Sequence, residues 1–292
     1  VDTTSNRSAF LREPITAGQK LSVGDEVLLE GPQLHQLCFR QVRGGEAFTL
    51  RDAEGRYFRA RISEYVPNGA RCAVFETLAA SPEPEVSITL LQAIPARERM
   101  FWIIEKATEL GVDCIIPAFT CKSVQPDLVH KEKPHRWEHV ALRAVRQCRR
   151  ARVPEVHQPI SLAEALELQA WKNAEMKWLL AGPGKHPPAH HPSISTAAIA
   201  VGPEGGWTEE EEDLLMRSGA VPVSLTGRIL RAETAAVVGI AAMLMLYGDL
   251  HICSAQTDAR HRLFNHGFSP PTPPDSEAPE PKRRNHRWAP EE

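Results

Sequence analysis

Two short runs in the second half of the chain, "KWLLAG" (177–182) and "AAIAVG" (197–202), are apolar almost without interruption. A strand with one wet face alternates apolar and polar residues, so a continuous run implies a strand covered on both faces, the condition found in parallel sheets. "VSITLLQ" (86–92), "DCIIPAF" (113–119) and "VPVSL" (221–225) read as further strands. Helical patterns separate them. "RERMFWIIEKATELG" (97–111) places Met100, Ile103, Ile104, Ala107 and Leu110 on one face and stops at Gly111. "PHRWEHVALRAVRQCRR" (134–150) aligns Trp137, Val140, Ala141, Ala144, Val145 and Cys148 in one stripe. Ser161 and Glu164 have the spacing of a capping box. Residues 232–248 are apolar on nearly every side and are expected to be buried. This alternation predicts an α/β domain over residues 86–250, with its ligand site at the carboxyl ends of the strands.

Residues 1–80 have a different texture. Short alternating segments such as "DEVLLEG" and "RYFRARISEY" are separated by Gly, Asp and Asn turns, as in a small β-barrel domain. "AASPEPE" (79–85) marks the boundary. Residues 254–292 are rich in Pro and charge and read as a disordered tail whose "KRR" is solvated. The formal net charge is -3, so affinity for nucleic acid must come from a local patch. The longest apolar stretch, 235–247, is too short to span a bilayer, and no signal segment opens the sequence; a cytoplasmic protein is expected. The six cysteines show no C-x-x-C spacing and read as reduced, packed thiols. His186, His190 and His191 lie in a Pro-rich loop, and no metal is expected.

"VGPEGGWTEEEEDLL" (201–215) is the most informative loop. Glycines between a strand and a helix commonly cradle phosphate. Here Thr208 and Glu211 form a capping box, and acids from Glu209 to Asp213 fill the helix start with the protein's own negative charge. Neither G-x-G-x-x-G nor G-x-x-x-x-G-K-[ST] is present. A nucleotide di- or triphosphate is disfavoured, and a phosphate-free ligand gripped by main-chain groups is expected. Gly182-Pro183-Gly184 and "SLTGRILRAETAA" (224–236) end two other strands and complete a three-loop pocket. Arg231, at the mouth of an apolar helix, must pair with a carboxylate such as Glu233 or face an anionic or carbonyl-rich ligand.

Together "VGPEGGWTEEE", "LTGRILRAETAA", "EKATELGVDCIIP" and "RAVRQCRRARVPEV" resemble, in order, the RsmE family of ribosomal-RNA methyltransferases, of the SPOUT class. The resemblance covers roughly residues 7–250. It implies a knotted parallel-sheet domain behind a PUA-like RNA-binding β-barrel, a homodimer, S-adenosylmethionine as methyl donor, and uridine N3 in small-subunit rRNA, free or in the assembled subunit, as acceptor. Carried onto this sequence, it implies a donor pocket of Leu180, Gly182, Gly202, Glu204, Gly205, Leu225, Ile229 and Leu230. Arg231 is the arginine implied to face the acceptor base, with Glu233 orienting it. A sulfonium is not repelled by acidic residues, which accounts for the composition of the glycine loop.

Six arginines between 136 and 152 oppose one acid, Glu138. The stripe places Arg143, Arg146 and Arg150 away from the apolar face, toward phosphates, with Lys106, Lys122 and Arg40 extending the patch. The front segment "LHQLCFRQVRGGEAF" departs from the family pattern: His35 stands alone and Gly-Glu replaces Gly-Asp. Rival readings are a SPOUT enzyme for another RNA nucleoside, separable by nucleoside mass spectrometry, and a catalytically silent RNA-binding or ribosome-assembly protein, which would not bind the donor.

Overall fold

The computed structural model describes residues 9–96, 98–181, 193–248 and 250–251. The expectations on Gly182, Gly184, the loop histidines and the tail lie outside these residues. Five strands form the front sheet: β1 (Ile15–Thr16), β2 (Glu26–Glu30), β3 (Ala47–Arg51), β4 (Tyr57–Val66) and β5 (Gly69–Thr77), in the order β1-β3-β4-β5-β2. All pairings but β1–β3 are antiparallel. β2 alternates exposed and buried residues strictly, so one face meets a core built on Ile15, Leu50, Phe58 and Ile62. Helix α1 (Gly31–Phe39) closes that core with Leu37.

The remaining strands make a wholly parallel sheet: β6 (Ser87–Ala93), β7 (Cys114–Phe119), β8 (Glu155–Val156), β9 (Ile160–Ser161), β10 (Met176–Leu180), β11 (Thr196–Val201) and β12 (Val221–Val223). The order is β12-β10-β11-β6-β7-β8, with β9 also beside β7. β6, β7 and β11 are buried along almost their whole lengths, as the continuous apolar runs require. One face of the sheet packs on α2 (Arg99–Glu109), α3 (Trp137–Cys148) and α7 (Ala232–Tyr247), through Met100, Ile103, Trp137 and Ile240. The other carries α4 (Leu162–Glu167), α5 (Gln169–Lys172) and α6 (Glu209–Arg217), through Leu162, Trp171 and Leu215. The architecture is α/β in three layers. No helix among the described residues is long and apolar enough to cross a membrane.

Three expectations are corrected. Helix α7 is not buried all round: it packs on α2, β11 and β6, while Val238 and Met245 stand 41% and 47% exposed. Arg150 does not face solvent. Its guanidinium is buried, with Nε and Nη2 donating to Glu83 at 2.9 and 2.6 Å and Nη1 to the carbonyls of Thr108 and Val112. The helix has already ended there, because Arg149 takes a left-handed conformation (φ 58°) and turns the chain inward. Arg40 is buried as well, donating to the carbonyls of Ala151 and Glu13. Burial lowers its pKa to about 10, with Glu83 and Glu13 opposing the shift, so it stays charged at neutral pH. Glu83 completes the joint by accepting from the amides of Ala151 and Arg152. Arg40 ties the front segment to Ala151, Arg150 anchors the same turn to Glu83 and the end of α2, and neither is available to phosphates.

Removing the carboxylate in Glu83→Ala would leave the buried Arg150 guanidinium with Asp113, at 3.2 Å, as its remaining counter-charge and several of its hydrogen bonds unmade. A loss of about 3–5 kcal/mol is expected, read as a lower urea midpoint.

Candidate functional site

Parallel strands all point their carboxyl ends one way. Leu180 lies in register with Val223, and Leu179 with Ala200, so the loops after β10, β11 and β12 emerge side by side. Between them lies a cavity of about 290 Å³. Of the expected donor residues, Leu180, Gly202, Glu204, Leu225, Ile229 and Leu230 line it. Gly205 does not; a side chain there would meet Lys122, and Gly206 lines the wall instead. Ile229 is 96% exposed, so the loop after β12 overhangs the mouth rather than closing it.

The glycine loop is held by identifiable contacts. The amide of Gly206 donates to the Pro203 carbonyl at 2.9 Å, closing a turn, and Gly206 itself takes φ 68°, a conformation costly for other residues. Trp207 then folds back. Its Nε1 donates to the Leu180 carbonyl at 3.2 Å, and a Cβ on Gly202 would approach the indole within 3.1 Å. Gly202 therefore makes room for the protein's own tryptophan. The Thr208–Glu211 capping box is present, and α6 begins at Glu209. Glu211 is buried and also accepts from the Cys121 amide at 2.7 Å, while Lys122 Nζ donates to the Trp207 carbonyl at 3.0 Å. The segment after β7 thus braces the loop. The Glu211 charge raises the pKa of the exposed Cys121 thiol, which suits no nucleophile.

Sequence reasoning missed Arg99. It opens α2, where a cation opposes the helix dipole and needs an anionic partner; that conflict was the available signal. Arg99 pairs with Glu204 of the glycine loop through Nη1 and with Glu233 of α7 at 3.6 Å through Nε. Its position is set by Glu98, whose φ of 56° is unusual for a residue with a side chain and whose amide donates to the buried Glu132 at 2.5 Å. The expectation that Glu233 orients Arg231 is therefore corrected: Glu233 is held by Arg99, because the start of α7 faces the start of α2. Neither Arg231 nor Glu233 lines the cavity. Arg231 is exposed at the N-cap of α7, between the lining residues Leu230 and Ala232, and makes no ion pair among the described residues. Glu204 and Glu212 line the cavity, but Arg99 pairs with Glu204 and Arg228 also lines it, so the charges around it nearly balance. Such a wall presents no cluster of cations to hold a phosphate.

Residues 82–244 match the model of the RNA methyltransferase domain family, a span that contains the whole parallel sheet and the cavity. The chain belongs to the RsmE family of RNA methyltransferases. The ribosomal RNA small subunit methyltransferase E of Mycobacterium bovis is 31% identical over 236 residues, covering 76% of this chain and 87% of that protein. The protein of the same name from Synechocystis is 30% identical over 223 residues, covering 74% and 71%. Among solved structures, ribosomal RNA small subunit methyltransferase E from Neisseria gonorrhoeae, bound to S-adenosyl methionine, is similar with a TM-score of 0.59 and 32% identity. That comparison covers 82% of this chain and all of the other. A putative methyltransferase from Legionella pneumophila in complex with the same cofactor gives 0.54 and 28%, with the same coverage. In this RsmE-family chain the four acids of the first α6 turn have separable tasks. Glu211 caps and braces, Glu212 lines the cavity, and Glu209 and Glu210 are exposed at the positive end of the helix.

Substituting Glu211→Ala removes the reciprocal cap and the brace to Cys121. A cost of about 1–2 kcal/mol in stability is expected, with faster hydrogen exchange at the Thr208 and Cys121 amides and little change in the front sheet.

Proposed function

We propose that this protein transfers a methyl group from S-adenosylmethionine to uridine N3 of small-subunit ribosomal RNA. The observation that carries the reading is the convergence of three strand ends on a cavity that, among the described residues, shows no cluster of cations for a phosphate. Its relatives are named for small-subunit rRNA methylation, and the Neisseria structure holds S-adenosyl methionine. The fit is chemical as well. The cavity is near the lower end of ordinary ligand pockets, about 300 Å³, and the overhanging loop around Ile229 leaves room to close on a guest.

When bound, S-adenosylmethionine supplies a methyl carbon activated by a sulfonium. Leu180, Leu225, Ile229 and Leu230 offer apolar contact to it, and the main chain at Gly202 and Gly206 approaches it closely. Arg99 fixes the Glu204 carboxylate in the wall. Gly205 belongs to the same loop as Gly202 and Gly206. The rate depends on holding the base nitrogen in line with the methyl carbon, which is a matter of positioning. As the N3 proton leaves to solvent, negative charge gathers on O2 and O4 of the uracil. Arg231, exposed at the start of α7 and without an ion pair among the described residues, stabilises that charge. Glu233 acts on it indirectly, by locking the start of α7 to Arg99.

The strand order β12-β10-β11-β6-β7 and the return of α7 across the sheet support a trefoil knot of the SPOUT type. The curled front sheet supports a PUA-like RNA-binding domain over residues 1–80, joined to the methyltransferase domain of 86–250. Arg149 and Arg143 are exposed, Arg143 pairing with Glu105 at 3.2 Å, and Arg146 is half-buried; in the front sheet Arg61 stacks over Phe75 at 5.2 Å, a pair suited to phosphate and base contact. Lys106 adds little, since Glu105 and Glu109 hold it at 2.9 and 2.8 Å. The uncovered apolar stripe of α7 supports a homodimer. A ribosomal substrate supports a cytoplasmic protein.

Calorimetry with S-adenosylmethionine followed by methylation of small subunits from cells lacking the enzyme tests the reading. Heat on titration and methyl-uridine in the nucleoside digest are expected; absence of either rejects it. In Arg231→Ala, donor affinity is retained while turnover falls about 10²–10³-fold. Replacing Arg143 and Arg149 together by alanine lowers the slope of log affinity against log salt by roughly 1.5, as read by filter binding at several salt concentrations.

A further inference from the structure

At the opposite edge of the parallel sheet from the cavity, Cys114 of β7, Glu155 of β8 and His157 bring one ligand atom each within 4.8 Å of one another. Backbone pairing builds this cluster, not chance rotamers alone. Cys114 lies in register with Glu155, and His157, two residues on, shares the same face of the edge because side chains alternate. The His157 amide donates to the Ile115 carbonyl at 2.9 Å, and that of Glu155 to Asp113 at 2.8 Å, so the main chain carrying all three is fixed.

We propose that Cys114, Glu155 and His157 form a divalent transition-metal site of the zinc class. A thiol, an imidazole and a carboxylate are the borderline-soft donor set that zinc takes, with three protein ligands and a fourth position left to water. Spacing agrees. His157 Nε2 and Glu155 Oε2 are 3.7 Å apart, against an edge of roughly 3.3–3.5 Å for a tetrahedron with zinc–ligand bonds of about 2.0–2.1 Å. Access agrees too: the thiol is buried, His157 is half-buried and Glu155 is exposed, so an ion can enter from the open side. Asp113, next to Cys114 in the chain, is paired with Arg150 at 3.2 Å, so Glu155 is the carboxylate left to an ion. Arg12, the cation whose charge reaches the thiol, is committed to Glu138 and the Pro154 carbonyl. A bound ion would pin the two-residue strand β8 to β7. Arg12 meets the same edge, its carbonyl accepting from the Val153 amide at 2.9 Å. The site would therefore stiffen the junction with the front of the molecule, apart from the methyl-transfer chemistry.

The test uses the full chain, stripped with EDTA and titrated with Co²⁺ alone, then with Zn²⁺. One Co²⁺ per chain is expected, with the near-ultraviolet sulfur-to-cobalt charge-transfer band of thiolate ligation and its loss on adding Zn²⁺. The band should vanish in Cys114→Ser, and affinity should fall at least tenfold in His157→Ala. Unchanged far-ultraviolet dichroism and donor calorimetry confirm that these variants fold. No band in the wild-type chain, a band that survives Cys114→Ser, or unaltered affinity in His157→Ala each overturns the site.

Discussion

The parallel direction of β10, β11 and β12 is the constraint on which the site depends. Parallel neighbours cannot be joined by a hairpin, so each strand must leave at its carboxyl end and return by a long connection. Three exits therefore crowd one edge of the sheet, where register places Leu180 beside Val223 and Leu179 beside Ala200. A cavity between them follows from the topology. Its chemistry comes from the loops: Gly202 and Gly206 admit the main chain, Trp207 seals one side, and Glu204, Glu212 and Arg228 set the charge.

Contacts between distant segments tie this arrangement together. Glu211 joins the glycine loop to the segment after β7, and Arg99 joins that loop to α7. Each contact crosses between elements far apart in sequence, so the glycine loop cannot shift alone. The Glu83–Arg150–Arg40 joint does the same for the two sheets. Ion pairs of this kind contribute modest net stability, because desolvation offsets much of their attraction, yet losing one partner is costly. Their effect is to fix geometry.

Arginine has three separate uses within one basic stretch. Arg143 is exposed beside Glu105, Arg149 turns the chain with its side chain in solvent, and Arg150 is buried one residue later. A helical projection treats all three alike. The difference arises where α3 ends, since a left-handed residue reverses the direction in which its successor points. The metal cluster illustrates the same point. Cys114 and His157 are too distant in sequence to form a spacing motif, and only strand pairing places them together.

Amino-acid order by itself determined the strand and helix periods, the two capping boxes and the identity of the cavity loops. Each of these is set by neighbours within a few residues, or by a pattern of burial that any covered sheet imposes. Tertiary structure decided which charges are free. Arg40 and Arg150 became struts, Glu233 turned to Arg99 rather than Arg231, and α7 kept an apolar face uncovered. The physical reason is that a charged side chain takes its partner from whatever the fold brings within a few ångströms, and that distance is not written in local sequence.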